Sequence, residues 1–325
     1  MIHFSIIGAG GMGSAYAKII NSLSDAKVEY ICDVDVERAK RLANEHNAKY
    51  TSNIRDAIID EKVDAIIVTT PPFVRKEIFS LAVEYKKPIY CEKPLSTDYR
   101  SAVELYRLIG NKIPVMMGFV LRWWPVYDFI KEKIPKLGKI SFAYFTVIGS
   151  WITLLDRTPW RKKRSLNSGL MEQAIHEIDI ARYLLGEVKQ VYAIGNNYIL
   201  SGIDYEDSAI FSLNFENDAV VGISCSVGSR IGRRDGMIVA TNGTIYFDTR
   251  EQYVKFVDKD GTVEEAKIGF REDPYRKEII EFIELLKENK KPRATILDGL
   301  KAQEIAEAAT ISIIEKKPIK LPLKI

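Results

Sequence analysis

The chain has 325 residues, of which 46% are hydrophobic, and its 47 basic and 44 acidic residues leave a net charge of +3. This length predicts two domains with enough apolar residues for a substantial core. The near balance of charge excludes a field strong enough to make nucleic acid or a membrane surface the main partner. No apolar stretch approaches the roughly 20 residues that span a bilayer, and we expect no secretory signal because the first residues lack a basic region.

The first third of the chain alternates short apolar runs with amphipathic stretches. The runs are apolar at consecutive positions, which is typical of parallel strands buried on both faces. This alternation predicts an α/β fold, a doubly wound parallel Rossmann sheet over residues 1–119. The predicted strands are Ile2–Ile7, Val28–Cys32, Ala65–Val68, Pro88–Cys91 and Pro114–Met117, and the predicted helices are Met12–Leu23, Val36–Asn44, Phe73–Tyr85 and Asp98–Ile109.

Beyond residue 119 the strands become longer and alternate in polarity, which predicts an α+β domain over residues 120–325 with a large, mostly antiparallel sheet. Helices that cover one sheet face leave the other face in need of cover, so we expect a homo-oligomer. The predicted strands are Ile140–Ile148, Gln190–Ile199, Ser208–Phe215, Ala219–Val227 and Gly243–Phe247, and the predicted helices are Pro125–Lys133, Leu170–Leu185, Pro274–Glu288 and Leu297–Ile314.

A glycine fingerprint, G-x-G-x-x-G, follows the first strand and opens the first helix. Its first glycine allows a tight turn, the second lets the backbone approach a pyrophosphate, and the third lets helix and strand pack closely. The free N–H groups and the positive end of the helix dipole then face the phosphates. We therefore predict a dinucleotide site at Gly8, Gly10, Gly11, Met12 and Gly13.

Asp33 lies at the end of the second predicted strand, twenty residues after Gly13. A carboxylate there accepts hydrogen bonds from both ribose hydroxyls and repels a 2′-phosphate, which predicts NAD in preference to NADP. Asp35 is the better candidate for the N-cap of the next helix. Arg38 could meet a phosphate, although a solvated helix face is the simpler interpretation.

The turn Glu92-Lys93-Pro94 follows another predicted strand. Ligands of open α/β sheets bind outside the carboxyl ends of the strands, so Lys93 could reach the nicotinamide. Taken alone, it is more often a solvated surface lysine. The three widely spaced cysteines, Cys32, Cys91 and Cys225, include no CxxC pair and indicate a reducing, cytoplasmic location.

Glu172, His176 and Asp179 share one face of a predicted helix, beside an apolar stripe. His176 is the best acid/base candidate, since His3 starts a strand and His46 ends a polar helix. The polar face could instead be solvated, form a structural charge pair or bind a metal. No cysteine or second histidine supports a metal, so we expect none.

In several ordered motifs the chain resembles the Gfo/Idh/MocA family, the relatives of glucose–fructose oxidoreductase and inositol dehydrogenase. The resemblance covers nearly the whole chain. Its motifs are the glycine fingerprint, Thr70-Pro71-Pro72, Glu92-Lys93-Pro94, Gly118 with Leu121-Arg122-Trp123, Trp160-Arg161, Ser168-Gly169-Leu170, Glu172-Gln173-Ala174-Ile175-His176 with Asp179, and Gly299-Leu300-Lys301-Ala302.

The resemblance implies a CH–OH dehydrogenase or reductase acting on a sugar, polyol or related small molecule, assembled as a homodimer or homotetramer. It implies that residues 120–325 bind substrate and form the oligomer interface. It adds Thr70, Pro71, Glu92 and Lys93 to the cofactor site, and it assigns Lys93, His176 and Glu172 to catalysis. Glu172 and Ala174 replace the Asp and Gly that are usual in the family. The family also often has a His near the position that Arg75 occupies here.

Candidate substrate contacts are Arg122, Trp160, Arg161 and Asp179. The basic run Lys162-Lys163-Arg164 is either a solvated loop or a lid for an anionic substrate. Two other functions remain open: an NAD-dependent glycosidase on the same scaffold, and a regulatory protein that senses the nucleotide without turnover. Retention of both Lys93 and His176 argues against the regulator.

Overall fold

The computed structural model describes residues 1–324, and the chain divides into two compact units that each combine distant segments of sequence. The first unit contains Met1–Ser96, Arg100–Val120 and Glu272–Leu300. The second contains Thr97–Tyr99, Leu121–Arg271 and the chain from Lys301 onward.

Six parallel strands form the sheet of the first unit: β1 (Ile2–Ile7), β2 (Ala26–Cys32), β3 (Lys49–Thr51), β4 (Ala65–Val68), β5 (Ile89–Glu92) and β6 (Val115–Gly118). Their order is β3-β2-β1-β4-β5-β6. The order reverses between β1 and β4, where ligands of doubly wound sheets bind. Every residue of β4, β5 and β6 is buried, which explains why these strands are apolar except for Glu92 at the end of β5.

Nine strands form the sheet of the second unit: β7 (Ile140–Ser150), β8 (Val188–Asn196), β9 (Ser208–Phe215), β10 (Val220–Ser226), β11 (Gly228–Ala240), β12 (Gly243–Asp248), β13 (Tyr253–Asp258), β14 (Val263–Lys267) and β15 (Ile319–Lys320). Their order is β14-β13-β12-β11-β7-β10-β9-β8-β15. β7 and β10 pair in parallel, and the other neighbours are antiparallel. The predicted fold class is confirmed.

The α-helices are α1 (Gly11–Asn21), α2 (Val36–His46), α3 (Ile54–Ile59), α4 (Arg75–Glu84), α5 (Tyr99–Ile109), α6 (Pro125–Lys133), α7 (Leu154–Arg157), α8 (Arg164–Asn167), α9 (Met171–Leu185), α10 (Pro274–Glu288) and α11 (Ile296–Glu315). Capping residues determine where two of these helices begin or end. The Asp35 carboxylate accepts the Arg38 N–H at 3.0 Å and caps α2. Gly186 ends α9 with φ at +104°, a conformation that favours glycine. Both caps were predicted.

Helix α10 belongs to the first unit although it lies late in the sequence. It contacts α1, and the buried ring of Phe282 lies 6.0 Å from Phe4 and 5.9 Å from Tyr90 between centroids. Aromatic side chains bury large apolar areas, so these contacts stabilise the parallel sheet. The predictions gave the bounds of α10 but not its partner.

Candidate active site

The glycine loop between β1 and α1 has the shape of a phosphate cradle. Gly8 has φ at +109°, and a Cβ at Gly13 would lie 1.9 Å from the Gly8 carbonyl oxygen, so neither position admits a side chain without strain. A Cβ at Gly10 or Gly11 would meet nothing within 4 Å. The helix therefore begins beside open space, where its first N–H groups can bind an anion.

Thr69, which follows β4, holds this loop. Its hydroxyl donates to the carbonyl oxygens of Gly8 at 2.7 Å and Ile7 at 3.2 Å. The sequence analysis missed Thr69 because a hydroxyl directed at a neighbouring strand leaves no local pattern.

Asp33 follows β2 and faces the glycine loop, as expected from its spacing. Its carboxylate accepts the Ala9 N–H at 2.7 Å and the Asp35 N–H at 2.9 Å, and its side chain is 8% exposed. The Arg38 guanidinium lies 3.6 Å from Asp33 and 3.0 Å from Asp35. Arg38 is thus paired with two carboxylates.

The Glu92-Lys93-Pro94 turn is tied to the loop after β4 by a buried arginine. Arg75, at the start of α4, donates to the carbonyl oxygens of Pro94 and, at 3.1 Å, of Thr70. The Lys93–Pro94 peptide bond is cis. Arg75 was noted only as a departure from the family pattern, and the structure makes it the link between two loops of the candidate cofactor site.

Glu92 itself is buried. It accepts the Tyr16 hydroxyl at 2.6 Å and the Lys93 N–H at 3.1 Å. Burial raises its pKa, against the lowering effects of the Tyr16 hydrogen bond and of the charges on Lys93 and Arg75. Glu92 thus supports the turn from its buried side, and Lys93 is the first residue after β5.

Two carboxylates of helix α9 are each held by an arginine fork. Arg161 contacts both oxygens of Glu172, from Nε at 2.9 Å and Nη2 at 2.7 Å. Arg122 contacts both oxygens of Asp179, from Nε at 2.8 Å and Nη2 at 2.6 Å. His176 lies between these carboxylates on the same helix face and is partly exposed.

The Arg122–Asp179 pair is more deeply buried than the Arg161–Glu172 pair. The side chains of Arg122 and Asp179 are 3% and 1% exposed, whereas Arg161 is 20% exposed, and its guanidinium lies 4.2 Å from the Trp160 ring centre. A bidentate contact with an arginine fixes the orientation of a carboxylate and also stabilises its negative charge. Lys93 belongs to the first unit, and the α9 residues belong to the second.

The segment before α9 is held by residues that the sequence analysis did not select. Asn167 donates to the Arg161 carbonyl oxygen at 2.8 Å and accepts the Gly169 N–H at 2.6 Å. The Tyr205 hydroxyl donates to the same carbonyl oxygen. Ser168 and Gly169 both have positive φ, and this turn leads into α9.

The basic run in this segment is paired with acids. Each cation has a carboxylate within 4 Å: Lys162 with Asp156, Lys163 with Asp204, and Arg164 with Glu206. Because these charges are compensated within the protein, the run offers weak support for an anionic substrate.

Comparison with known proteins identifies the family. The model of the Gfo/Idh/MocA oxidoreductase family, with an NAD-binding Rossmann fold, matches residues 2–118, and that of the Gfo/Idh/MocA C-terminal domain matches residues 133–246. The uncharacterized oxidoreductase YrbE of Bacillus subtilis (strain 168) is 31% identical over 97% of this chain and 95% of its own length. The chain belongs to the Gfo/Idh/MocA family.

A curated relative and a solved structure also match along nearly their full length. Myo-inositol 2-dehydrogenase of Thermotoga maritima is 27% identical, with 98% of each chain covered. The structure of levoglucosan dehydrogenase in complex with NADH and levoglucosan has a TM-score of 0.89 and 23% identity, covering 99% of this chain and 100% of that one. The predictions of the family and of an NAD-dependent dehydrogenase are confirmed.

Metal-binding clusters, membrane-spanning helices and cysteines can be described for residues 1–324. In that part of the chain, no three His, Cys, Asp or Glu residues lie close enough together to hold a metal ion. No helix there is both long and apolar enough to cross a membrane. The three cysteines are free and buried.

Proposed function

We propose that this Gfo/Idh/MocA family member transfers a hydride between a nicotinamide cofactor and a hydroxyl-bearing carbon of a sugar, polyol or related compound. The observation that carries the proposal is the glycine cradle, open at Gly10 and Gly11 and bordered by the carboxylate of Asp33. The substrate class is supported by two relatives, one named for myo-inositol and one bound to levoglucosan.

The residues around the cradle fit NAD. Gly8, Gly10, Gly11, Met12 and Gly13 would hold the pyrophosphate, and Asp33 would hold the adenosine ribose. The carboxylate of Asp33 is fixed by two backbone N–H groups and disfavours a 2′-phosphate, which supports NAD over NADP. Thr70, Pro71, Glu92 and Lys93, held together through Arg75, would border the nicotinamide end.

When bound, NAD supplies the hydride acceptor for alcohol oxidation. His176 would take the hydroxyl proton as general base, and a partly exposed imidazole suits this exchange. Lys93 would donate to the reacting oxygen and stabilise the developing alkoxide. Glu172, oriented by Arg161, would orient His176 or a second substrate hydroxyl.

The remaining candidates divide by burial. We place Trp160 and Arg161 at the rim of the substrate pocket. Arg122 and Asp179 are too buried to offer a substrate much surface, and we assign them to positioning α9.

We further propose that residues 120–325 bind substrate and form the interface of a homodimer or homotetramer. The exposed face of the nine-stranded sheet carries large apolar side chains, and Ile194 and Ile210 are opposite each other on β8 and β9, as are Phe142 and Val220 on β7 and β10. Exposed apolar surface of this kind marks an interaction site. Buried, free cysteines support a cytoplasmic location.

A screen of sugars and polyols with NAD, followed by nicotinamide absorbance, tests the activity. We expect net NADH formation with at least one polyol or cyclic sugar. Turnover of a glycoside without net absorbance change would favour the glycosidase. Tight NAD binding without turnover of any compound would favour the regulatory protein.

A further inference from the structure

Four buried side chains of the first unit form one continuous chain of hydrogen bonds beneath the Glu92-Lys93-Pro94 turn. The Glu92 carboxyl contacts the Tyr16 hydroxyl at 2.6 Å, Tyr16 contacts the Tyr90 hydroxyl at 2.7 Å, and Tyr90 contacts the Glu278 carboxyl at 2.9 Å. All four residues are at least nine-tenths buried. We call them the carboxyl–tyrosine chain.

Gly118 on β6 leaves room for this chain. A Cβ there would lie 2.8 Å from the Tyr90 hydroxyl oxygen and 3.2 Å from the Glu92 carboxyl carbon. The glycine of this family motif therefore has a physical reason in this protein, because any larger residue would displace Tyr90 or Glu92.

The number of protons that the carboxyl–tyrosine chain needs for its hydrogen bonds determines its net charge. Its three oxygen–oxygen contacts need three protons, and the two tyrosine hydroxyls supply two. If both carboxylates were ionised, each tyrosine would donate to its own carboxylate, and the hydroxyl oxygens of Tyr16 and Tyr90 would face each other 2.7 Å apart with no proton between them, which is unfavourable inside the protein. One proton shared by the two carboxyls completes the chain.

The surrounding charges decide which carboxyl holds that proton. Burial raises the pKa of Glu92, but the charges of Lys93 and Arg75 oppose that rise, and the backbone N–H of Lys93 donates to the Glu92 carboxyl. Glu278 is flanked instead by the acidic groups of Glu92, Glu281 and Asp273. Burial and these charges raise the pKa of Glu278 well above its ordinary value.

We propose that the carboxyl–tyrosine chain holds one proton and one negative charge, with the proton at Glu278 and the charge at Glu92, and that it thereby keeps Lys93 in its charged form. In this state Glu278 donates to Tyr90, Tyr90 to Tyr16, and Tyr16 to Glu92. The attraction between Glu92 and Lys93 is mutual, so the negative charge at Glu92 stabilises the ammonium.

The same geometry allows the charge to move. If Lys93 loses its proton, Tyr16 can pass its proton to Glu92, Tyr90 to Tyr16, and Glu278 to Tyr90. Every hydroxyl keeps one proton, and the negative charge moves to Glu278. Tyr16, Tyr90 and Glu278 are thus positioning residues for Lys93. Their link to catalysis rests on the proposed function, but the test below needs no substrate.

Infrared difference spectroscopy of the 325-residue protein tests which carboxyl group holds the proton. At neutral pH, wild type minus Glu278→Gln should show the carbonyl stretch of one protonated carboxylic acid. The amide introduced by this substitution can donate to Tyr90 in place of that proton, so the variant keeps the chain complete. The matched control is Glu281→Gln on the same helix, whose carboxylate accepts the Arg293 N–H and whose loss should leave this band in place.

Tyr90→Phe gives a second measurement if the glutamine variant folds poorly. It should keep the acid band but shift its frequency, because the Glu278 carboxyl loses its partner. Absence of the band from the wild type, or its persistence unchanged in Glu278→Gln, would overturn the proposal.

Competitive acylation of Lys93, measured by mass spectrometry across pH, tests the location of the charge. Glu92→Gln should increase the fraction of uncharged, reactive Lys93 several-fold at a given pH. Glu278→Gln should leave it close to wild type, because the charge stays at Glu92. Equal reactivity in Glu92→Gln and wild type would contradict the electrostatic link to Lys93.

Discussion

Arginine–carboxylate forks and backbone N–H groups give the candidate site its fixed orientations. Asp33 is held by two N–H groups, Glu172 by Arg161 and Asp179 by Arg122. Residues that are locked in this way lose little freedom when a ligand binds, so their interactions favour binding more strongly. Substitution of Asp33 or Glu172 should therefore change specificity or rate, whereas removing one partner of the buried Arg122–Asp179 pair should also destabilise the fold.

Asp33→Ser should reduce the preference for NAD. The serine removes the charge that repels a 2′-phosphate and leaves Arg38 without one of its two carboxylate neighbours. Fluorescence titration of NAD and NADP should show weaker NAD and stronger NADP binding.

Adding Arg38→Ala to Asp33→Ser gives the matched control, since the gain in NADP affinity should then disappear. Wild-type protein that binds NADP as tightly as NAD would contradict the assignment of Asp33.

Lys93→Ala and His176→Ala should each lower turnover by about 10²–10⁴-fold, the usual effect of removing an acid/base group. NAD affinity should change little, because the glycine cradle and Asp33 are intact. If the two residues serve one proton transfer, the double variant should lose less than the product of the single losses.

Glu172→Gln should lower turnover less than either alanine substitution, because the amide keeps part of the hydrogen bonding to Arg161. Near-normal turnover in His176→Ala, measured with the substrate found by the screen, would remove His176 as the acid/base group.

At the scale of elements, regular hydrophobic patterns predicted most of the fold, and their absence explains the errors. Helices Pro125–Lys133 and Pro274–Glu288 and strand Ser208–Phe215 have the predicted bounds. Strand β11 was missed, although it pairs with both β7 and β12. Its segment from Arg230 to Asp235 is rich in arginine and contains a glycine, so tertiary pairing overrides a local pattern typical of a loop.

The candidate site was predictable where function imposes a fixed spacing. The glycine fingerprint and Asp33 followed from spacing. The pairing of Arg161 with Glu172 and the contact of Tyr90 with Glu278 could not be predicted, because long-range side-chain contacts leave no periodic signal. The short strand β3 and helix α3 were missed for lack of length.

Helix α10 provides the test at this scale. Phe282→Ala should destabilise the protein by about 3–5 kcal/mol, because it opens a cavity between α10, Phe4 and Tyr90. Urea unfolding followed by circular dichroism measures this free energy. Phe270→Ala is the control, since Phe270 is exposed and its loss should cost far less. Equal effects of the two substitutions would show that α10 adds little to the sheet.

At the scale of the whole molecule, the apolar sheet face should be covered by a second copy of the chain. Ile210→Asp places a charge on this face and should reduce the mass measured by light scattering at micromolar concentration. Ile314→Asp, at an exposed position on α11, should leave the mass unchanged. A wild-type protein that is monomeric under these conditions would contradict the proposed oligomer.

The divided sequence of the first unit has a consequence for biosynthesis. Domains ordinarily fold in the order in which the ribosome releases them. Here the six strands emerge long before α10, so Phe4, Tyr16 and Tyr90 remain without Phe282, Tyr275 and Glu278 until nearly the whole polypeptide has been made. We expect a nascent chain stopped after residue 120 to remain protease-sensitive, and to gain protection only after residues 272–300 have left the exit tunnel.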